Sequence, residues 1–267
     1  MLHTYISAAR LAYADRFQYI ADPEHADVPW NGLMSDAYSK KRASSIKPNQ
    51  IQNIKPGNPW VEEGRSPEHV LESSAPSPDS GTTHLTVMDS EGNAVSITNT
   101  IMSGFGSGII PRGTGVVMNN GIMLYDPIPG RVNSIAPGKY PLNNMTPALV
   151  LGTDGVEMAL GASGGRRITN CVTSLLVKMI DFNMDPQSAI DSPRLDCSSQ
   201  FTDVDSGLSK NIISQLKNKG HNVRVLGADN SQTGLAKFAS PVAIKREKDG
   251  FFGGVDTFHA AYAAGPS

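Results

Sequence analysis

The chain has 267 residues, and its 23 basic and 25 acidic side chains leave a formal charge of only −2 with no long block of one sign. That balance removes the electrostatic argument for nucleic acid or an anionic membrane surface as a partner. With 39% apolar residues, the chain can bury a core without disulfides or a structural metal, and it has no run of the roughly 18 apolar residues that a membrane span needs. Cys171 and Cys197 match neither a CxxC metal spacing nor a disulfide framework, and read as buried free thiols. Met1-Leu2-His3-Thr4-Tyr5 lacks the basic and apolar regions of a signal peptide, so the chain as it stands reads as soluble and unexported, with its compartment open.

In chain order, Ile6, Ala9, Tyr13, Phe17 and Ile20 recur at steps of three and four, which predicts an amphipathic helix ended by Asp22-Pro23. Between Ser44 and Gly81, Pro48, Pro56, Pro59, Pro67, Pro76 and Pro78 are interleaved with Ser, Asn and Gly, which predicts an exposed, mobile linker. Its tail, Ser77-Pro78-Asp79-Ser80-Gly81, runs into an alternating strand from Thr82 to Met88. His84 and Thr86 face one side of that strand, and Thr83, Leu85 and Val87 the other. A turn through Ser90-Glu91-Gly92-Asn93 leads to a second strand from Ala94 to Ile101.

Gly104 to Gly108 reads as a loop, Gly115 to Met118 as a short strand, and Pro127 to Pro141 as a proline-rich loop. Ala148 to Leu151 and Val156 to Leu160 form a second hairpin about Thr153-Asp154-Gly155. Gly161-Ala162-Ser163-Gly164-Gly165 then opens a helix from about Arg166 to Asp181, with Ile168, Val172, Leu175, Leu176 and Met179 as its apolar positions. Asp185-Pro186 caps a short helix to Ile190, and Leu208, Ile212, Ile213 and Leu216 mark another that closes at Gly220. Strands from Val223 to Leu226, from Leu235 to Ile244 and around Phe251-Phe252 finish the chain. Paired strands with helices predict an α+β fold built on antiparallel sheet.

Two side chains compete as nucleophile. Thr82 follows a residue with no side chain, so the Gly81–Thr82 peptide bond can bend toward the threonine hydroxyl for an N-to-O acyl shift. The α-amino group freed by that cut is the base a threonine hydroxyl needs. Its reference pKa of roughly 7.7 to 8 leaves a useful neutral fraction near pH 7. Ser163 fits a GxSxG elbow between strand and helix, with Asp181 or Asp191 as acid and His221 or His259 as base. That elbow belongs to a parallel sheet with strand–helix units ahead of it, whereas hairpins precede it here. A third reading gives these glycines no nucleophile: the N–H groups of Gly164 and Gly165 at a helix start can hold an oxyanion. A plain tight turn is the fourth.

Taken together, Thr82-Thr83-His84 leading to Asp89, Gly92-Asn93-Ala94-Val95-Ser96, Phe105-Gly106-Ser107-Gly108, Asn119-Asn120, Pro141-Leu142-Asn143-Asn144-Met145-Thr146-Pro147 and Gly161-Ala162-Ser163-Gly164-Gly165 resemble the γ-glutamyltransferases and their acylase relatives in order and spacing. Leu11-Ala12-Tyr13-Ala14-Asp15-Arg16 resembles the end of that family's large subunit.

The resemblance implies an N-terminal nucleophile hydrolase with an αββα sandwich, matured by self-cleavage between Gly81 and Thr82. Residues 1–81 then belong to the large subunit and 82–267 to the small one, and the two stay associated as a heterodimer. It also implies Thr82 as nucleophile, Thr100 as the threonine that hydrogen-bonds it, Gly164 and Gly165 as the oxyanion hole, and Asn143 and Asn144 in the positions of two serines that grip a substrate carboxylate. The implied substrate is a small γ-glutamyl or related amide, and no metal or other cofactor is required. Several positions depart from the family pattern: Met102 replaces an asparagine, Gly121-Ile122-Met123-Leu124-Tyr125-Asp126 replaces the residues that hold the glutamyl amino group, and Phe258 replaces an arginine. These departures resemble the branch that includes cephalosporin acylases. The resemblance also begins late in the large subunit, which implies that the family's earlier strands and a carboxylate-binding arginine lie outside this sequence.

Overall fold

The computed structural model describes residues 1–66, 81–227, 238–257 and 261–265. Its centre is a four-stranded antiparallel sheet of order β3-β4-β8-β9, from β3 (Ala148–Gly152), β4 (Gly155–Ser163), β8 (Ser240–Glu247) and β9 (Gly250–Val255). Along β4 the alternation of side chains sends Met158, Leu160 and Ala162 to one face. There they meet Ile168, Val172, Leu175 and Met179 of helix α4 (Arg167–Ile180) and Ala189 and Ile190 of α5 (Pro186–Asp191). The apolar stripe of α4 that the sequence predicts is this buried face.

The hairpin of β1 (Thr82–Met88) and β2 (Ala94–Thr100) stacks on the opposite face, over β4 and β8. Thr82, His84, Thr86, Ser96, Thr98 and Thr100 point half-buried into this second interface, with the sidedness expected of β1. Helix, sheet and hairpin thus form three successive layers. The outer face of the hairpin, carrying the cross-strand pairs Leu85–Ile97 and Val87–Val95, is about half exposed, and no described element covers it.

A smaller unit packs beside these layers. Strands β5 (Leu195–Asp196), β6 (Thr202–Asp205) and β7 (Val223–Leu226) form a mixed sheet, in which β6 and β7 run parallel. Ile6 of helix α1 (Leu2–Tyr19), Cys197, and Leu216 of α6 (Lys210–Asn218) form its core. Cys171 and Cys197 are buried free thiols, and burial pushes the Cys171 thiol up to about 11. No helix among the described residues is long and apolar enough to cross a membrane.

The structure departs from the sequence reading in five places. Helix α1 stops at Tyr19 and not at Asp22-Pro23, because the Asp22 carboxylate accepts the N–H groups of Glu24 and Tyr140 and builds a turn there. Residues 30–44 form α2 (Trp30–Met34) and α3 (Asp36–Ser44), which carry no clear apolar period. The expected linker is an ordered strap over 45–66: Ile51 N–H donates to Lys219 O, Gly57 N–H donates to the Asp15 carboxylate, and the 3₁₀ turn Pro59–Glu63 buries Trp60 against Tyr19. Its remainder, 67–80, lies outside the described residues, as do 235–237 of the expected β8 strand. Gly115 to Met118 is irregular: the Met118 carbonyl accepts the Ser107 N–H and the Met118 N–H donates to Ile109 O, which closes a loop there. Strands β5 and β6 escape sequence reading because they are too short and polar to alternate visibly.

Candidate active site

Strand pairing brings Thr82 and Thr100 face to face at the end of the β1–β2 hairpin, with 2.8 Å between their hydroxyl oxygens. Gly81 precedes them at φ +94°, and a Cβ there would lie 2.8 Å from Ser103 O, so only glycine fits without strain. The Gly81 carbonyl accepts the Ile101 N–H at 3.1 Å and the Thr100 hydroxyl at 3.2 Å. Thr100 Oγ1 in turn accepts the Met102 N–H at 3.0 Å. A hydroxyl has one hydrogen, so when Thr100 donates to the Gly81 carbonyl it is Thr82 that donates to Thr100 Oγ1. Met102 is fully buried at φ +71°, an unusual backbone state for a long side chain, and sits where its thioether is 3.6 Å from the Thr100 hydroxyl.

His84 fastens this hairpin to β4. Its Nδ1 lies 2.7 Å from Thr98 Oγ1 and its Nε2 3.3 Å from Ser96 Oγ, while Ser96 donates its own hydrogen to Leu160 O at 2.9 Å. Because Ser96 spends its hydrogen on that carbonyl, His84 Nε2–H donates to Ser96 and Nδ1 accepts from Thr98. Burial pushes the imidazole down to about 4, so it stands neutral between the two sheets.

Past the end of β4, Gly164 and Gly165 turn the chain at φ +134° and +60° into the N-terminus of α4. A Cβ on Gly164 would lie 2.7 Å from Ala239 Cα, which fixes glycine there as well. Ser163 pairs with Ser240 within the sheet. None of the acids and bases proposed for it assembles around it among the described residues: Asp191 accepts from Gln187, His221 bonds His3, Asp181 is exposed, and His259 lies outside them.

Helix α1 holds two further loops. Tyr13 donates its hydroxyl to Arg166 O at 3.1 Å, immediately after the glycine turn. One helical turn later, Arg16 Nη2 donates to Asn143 O at 2.7 Å and to Asn144 Oδ1 at 2.9 Å. Thr146 Oγ1 lies 3.3 Å from Thr169 Oγ1 in the first turn of α4, which brings the Asn143–Asn144 loop to the same helix end. On the other side of the hairpin end, Asn120 Nδ2 donates to Ser103 Oγ and Ser103 donates to Met123 Sδ. Phe258 lies outside the described residues. In the sequence Tyr13 reads as part of a helix face and Arg16 only as part of the Leu11–Arg16 stretch, since nothing local tells that two remote loops end on them.

A sequence model of the γ-glutamyltranspeptidases matches residues 1–265. The chain belongs to the γ-glutamyltranspeptidase family. Among γ-glutamyltranspeptidase-family relatives, it is 36% identical over 215 residues to the glutathione hydrolase proenzyme of Bacillus subtilis strain 168, covering 79% of this chain and 36% of that protein. It is 32% identical over 258 residues to the acylase ACY 1 proenzyme of Pseudomonas sp. strain SE83, covering 91% of this chain and 43% of the relative. The chain thus spans about two fifths of the length of these curated relatives. Its fold matches that of cephalosporin acylase from Bacillus halodurans with a TM-score of 0.79 at 25% identity, over 99% of this chain and 45% of that one. A mutant γ-glutamyltranspeptidase of Helicobacter pylori superposes with a TM-score of 0.57 at 27% identity, over 66% of this chain and all of the other. The α+β architecture of the N-terminal nucleophile hydrolases is therefore the fold of this family member.

Proposed function

We propose that this chain cuts itself between Gly81 and Thr82 and then acts as a threonine amidohydrolase or acyltransferase on γ-glutamyl amides of the glutathione type. The observation that carries this reading is the Thr82–Thr100 hydroxyl pair at the mouth of a glycine whose carbonyl already accepts two donors. In the cut, Thr82 Oγ bonds to the Gly81 carbonyl carbon, the C–N bond breaks, and the hydroxyl proton ends on the Thr82 nitrogen. Water then hydrolyses the ester, which leaves a Gly81 carboxylate and a free amine at Thr82. In turnover that amine takes the hydroxyl proton, Thr82 attacks the amide, Gly164 and Gly165 stabilise the oxyanion, and water or an amine releases the acyl group.

Residues 1–81 and 82–267 are held as one heterodimer by bonds that cross the cut. Tyr5 donates to Asn170 O, Arg10 to Ser199 O and Gln200 O, and Lys219 to Pro48 O, besides the Tyr13 and Arg16 contacts. A glutaryl-type acylase is the second reading, favoured by the Met102 thioether beside Thr100 and the Met123 thioether beside Ser103, and by Leu124 and Phe258 among the departures from the family pattern. An inactive assembly partner is the third.

Hydrolysis of L-γ-glutamyl and glutaryl anilides by the purified chain separates the three. Preference for the γ-glutamyl donor supports the first reading, preference for the glutaryl donor the second, and turnover of neither the third. Activity that survives Thr82→Ala but disappears in Ser163→Ala would overturn the threonine mechanism.

A further inference from the structure

Arg16 is a half-buried cation without an anion, its guanidinium lying 5.4 Å from the centre of the Phe17 ring. Its Nη2 donates to two neutral acceptors, Asn143 O and Asn144 Oδ1, and its Nη1 is sealed from solvent with no partner. The neighbouring carboxylate does not neutralise it, because Asp15 is ion-paired with Arg42 at 2.9 Å and accepts the Gly57 N–H. Among the described residues, Arg16 makes no ion pair. A guanidinium taken out of water is expensive unless an opposite charge reaches it.

The same contact leaves donors unmatched on the asparagines. Asn144 is 1% exposed, and Arg16 claims its Oδ1, so the amide must direct Nδ2 elsewhere, where it finds no partner. Asn143 is exposed, and its Oδ1 accepts the Met145 N–H, which turns its own Nδ2 outward. The loop thus holds an exposed amide N–H group at Asn143 and a buried, unmatched one at Asn144, both backed by a positive charge, with no acidic group of its own.

We infer that Arg16 is the positioning residue of a carboxylate subsite at Asn143–Asn144, and that it supplies the positive charge this loop lacks. This rests on the reading of Asn143 and Asn144 as substrate-binding residues, and it narrows the substrate class. The donor carries a carboxylate at the far end of a five-carbon acyl chain, which γ-glutamyl and glutaryl groups share and a butyryl group does not. Arg16 touches no substrate atom: it orients Asn143 through its backbone oxygen and Asn144 through its amide, and acts on the carboxylate through them.

The test compares wild type, Arg16→Gln and Arg16→Lys on L-γ-glutamyl, glutaryl and butyryl anilides. Arg16→Gln raises KM for the two carboxylate-bearing donors roughly tenfold, because the positive charge behind the asparagine donors is lost. It leaves kcat within about twofold and KM for the butyryl donor unchanged, and Arg16→Lys recovers part of the loss. An equal KM change on all three donors, or none on any, overturns the inference. Calorimetric titration of glutarate into the Thr82→Ala chain decides the same point without catalysis: binding must weaken with Arg16→Gln, and unchanged binding refutes the subsite. If wild type hydrolyses no donor, the proposed function fails while the glutarate titration still judges Arg16.

Discussion

The ring of His84 fills the space that Gly161 leaves empty: a Cβ on Gly161 would stand 2.0 Å from His84 Cε1 and 2.4 Å from Nε2. The strand that carries His84 also carries Thr82, and the strand that carries Gly161 runs into the Gly164–Gly165 turn, so this contact sets the spacing between the two halves of the candidate site. Gly161→Ala therefore overfills the interface between the sheets and destabilises the fold by about 1–3 kcal/mol. Urea unfolding should show a lower midpoint, and the surviving folded protein should cut itself more slowly. An unchanged midpoint would mean that the two strands are not fastened there.

Stability should fall in mild acid. Burial holds both His84 and His221 down to about 4, below the ordinary imidazole value of roughly 6.5, so the unfolded chain binds more protons than the folded one between those limits. Their contribution is complete above about pH 6.5 and disappears as pH drops toward 4. At His221 the tautomers give the reason. His3 Nε2 must donate to Lys47 O, so its Nδ1 accepts from His221 Nε2–H at 2.7 Å and leaves His221 Nδ1 buried without a partner. A proton added there meets no acceptor, and Arg10 and Lys219 oppose its charge. Denaturation midpoints at pH 7.5 and 5.0 should differ, and His84→Gln should reduce the difference.

Arg194 and Asp256 form a sealed ion pair at 3.2 Å, and the same guanidinium donates to Ala239 O, the residue whose Cα crowds Gly164. Removing one partner leaves the other charge buried, so Arg194→Met should cost about 3–5 kcal/mol. Loss of stability below about 1 kcal/mol would show that Asp256 finds other compensation.

The central elements were legible in the sequence because their patterns are local. Alternation fixed β1 and its inward face, and the 3.6-residue period fixed the buried stripe of α4. What escaped is held by contacts remote in sequence. Pro59 and Trp60 read as linker until Tyr19 and Gly32 are seen to enclose them, and the parallel β6–β7 pair depends on strands too short to register. Thr82 and Gly164 could be named as candidates from residue type and resemblance, but the bond from Arg16 to Asn144 spans 128 positions and leaves no local trace.

The exposed pairs Leu85–Ile97 and Val87–Val95 give the hairpin a second apolar face that no described element covers. An apolar face of this kind drives association. Leu85→Thr with Ile97→Thr should reduce self-association in sedimentation velocity and leave the inward-facing Thr82–Thr100 pair intact.

Intact-mass measurement and N-terminal sequencing of the purified chain test the central claim most directly. Two fragments should appear, the second beginning at Thr82, and Thr82→Ala should remain a single species of 28.4 kDa apart from the substitution. A wild-type chain that stays whole, or that is cut at another bond, would contradict the account.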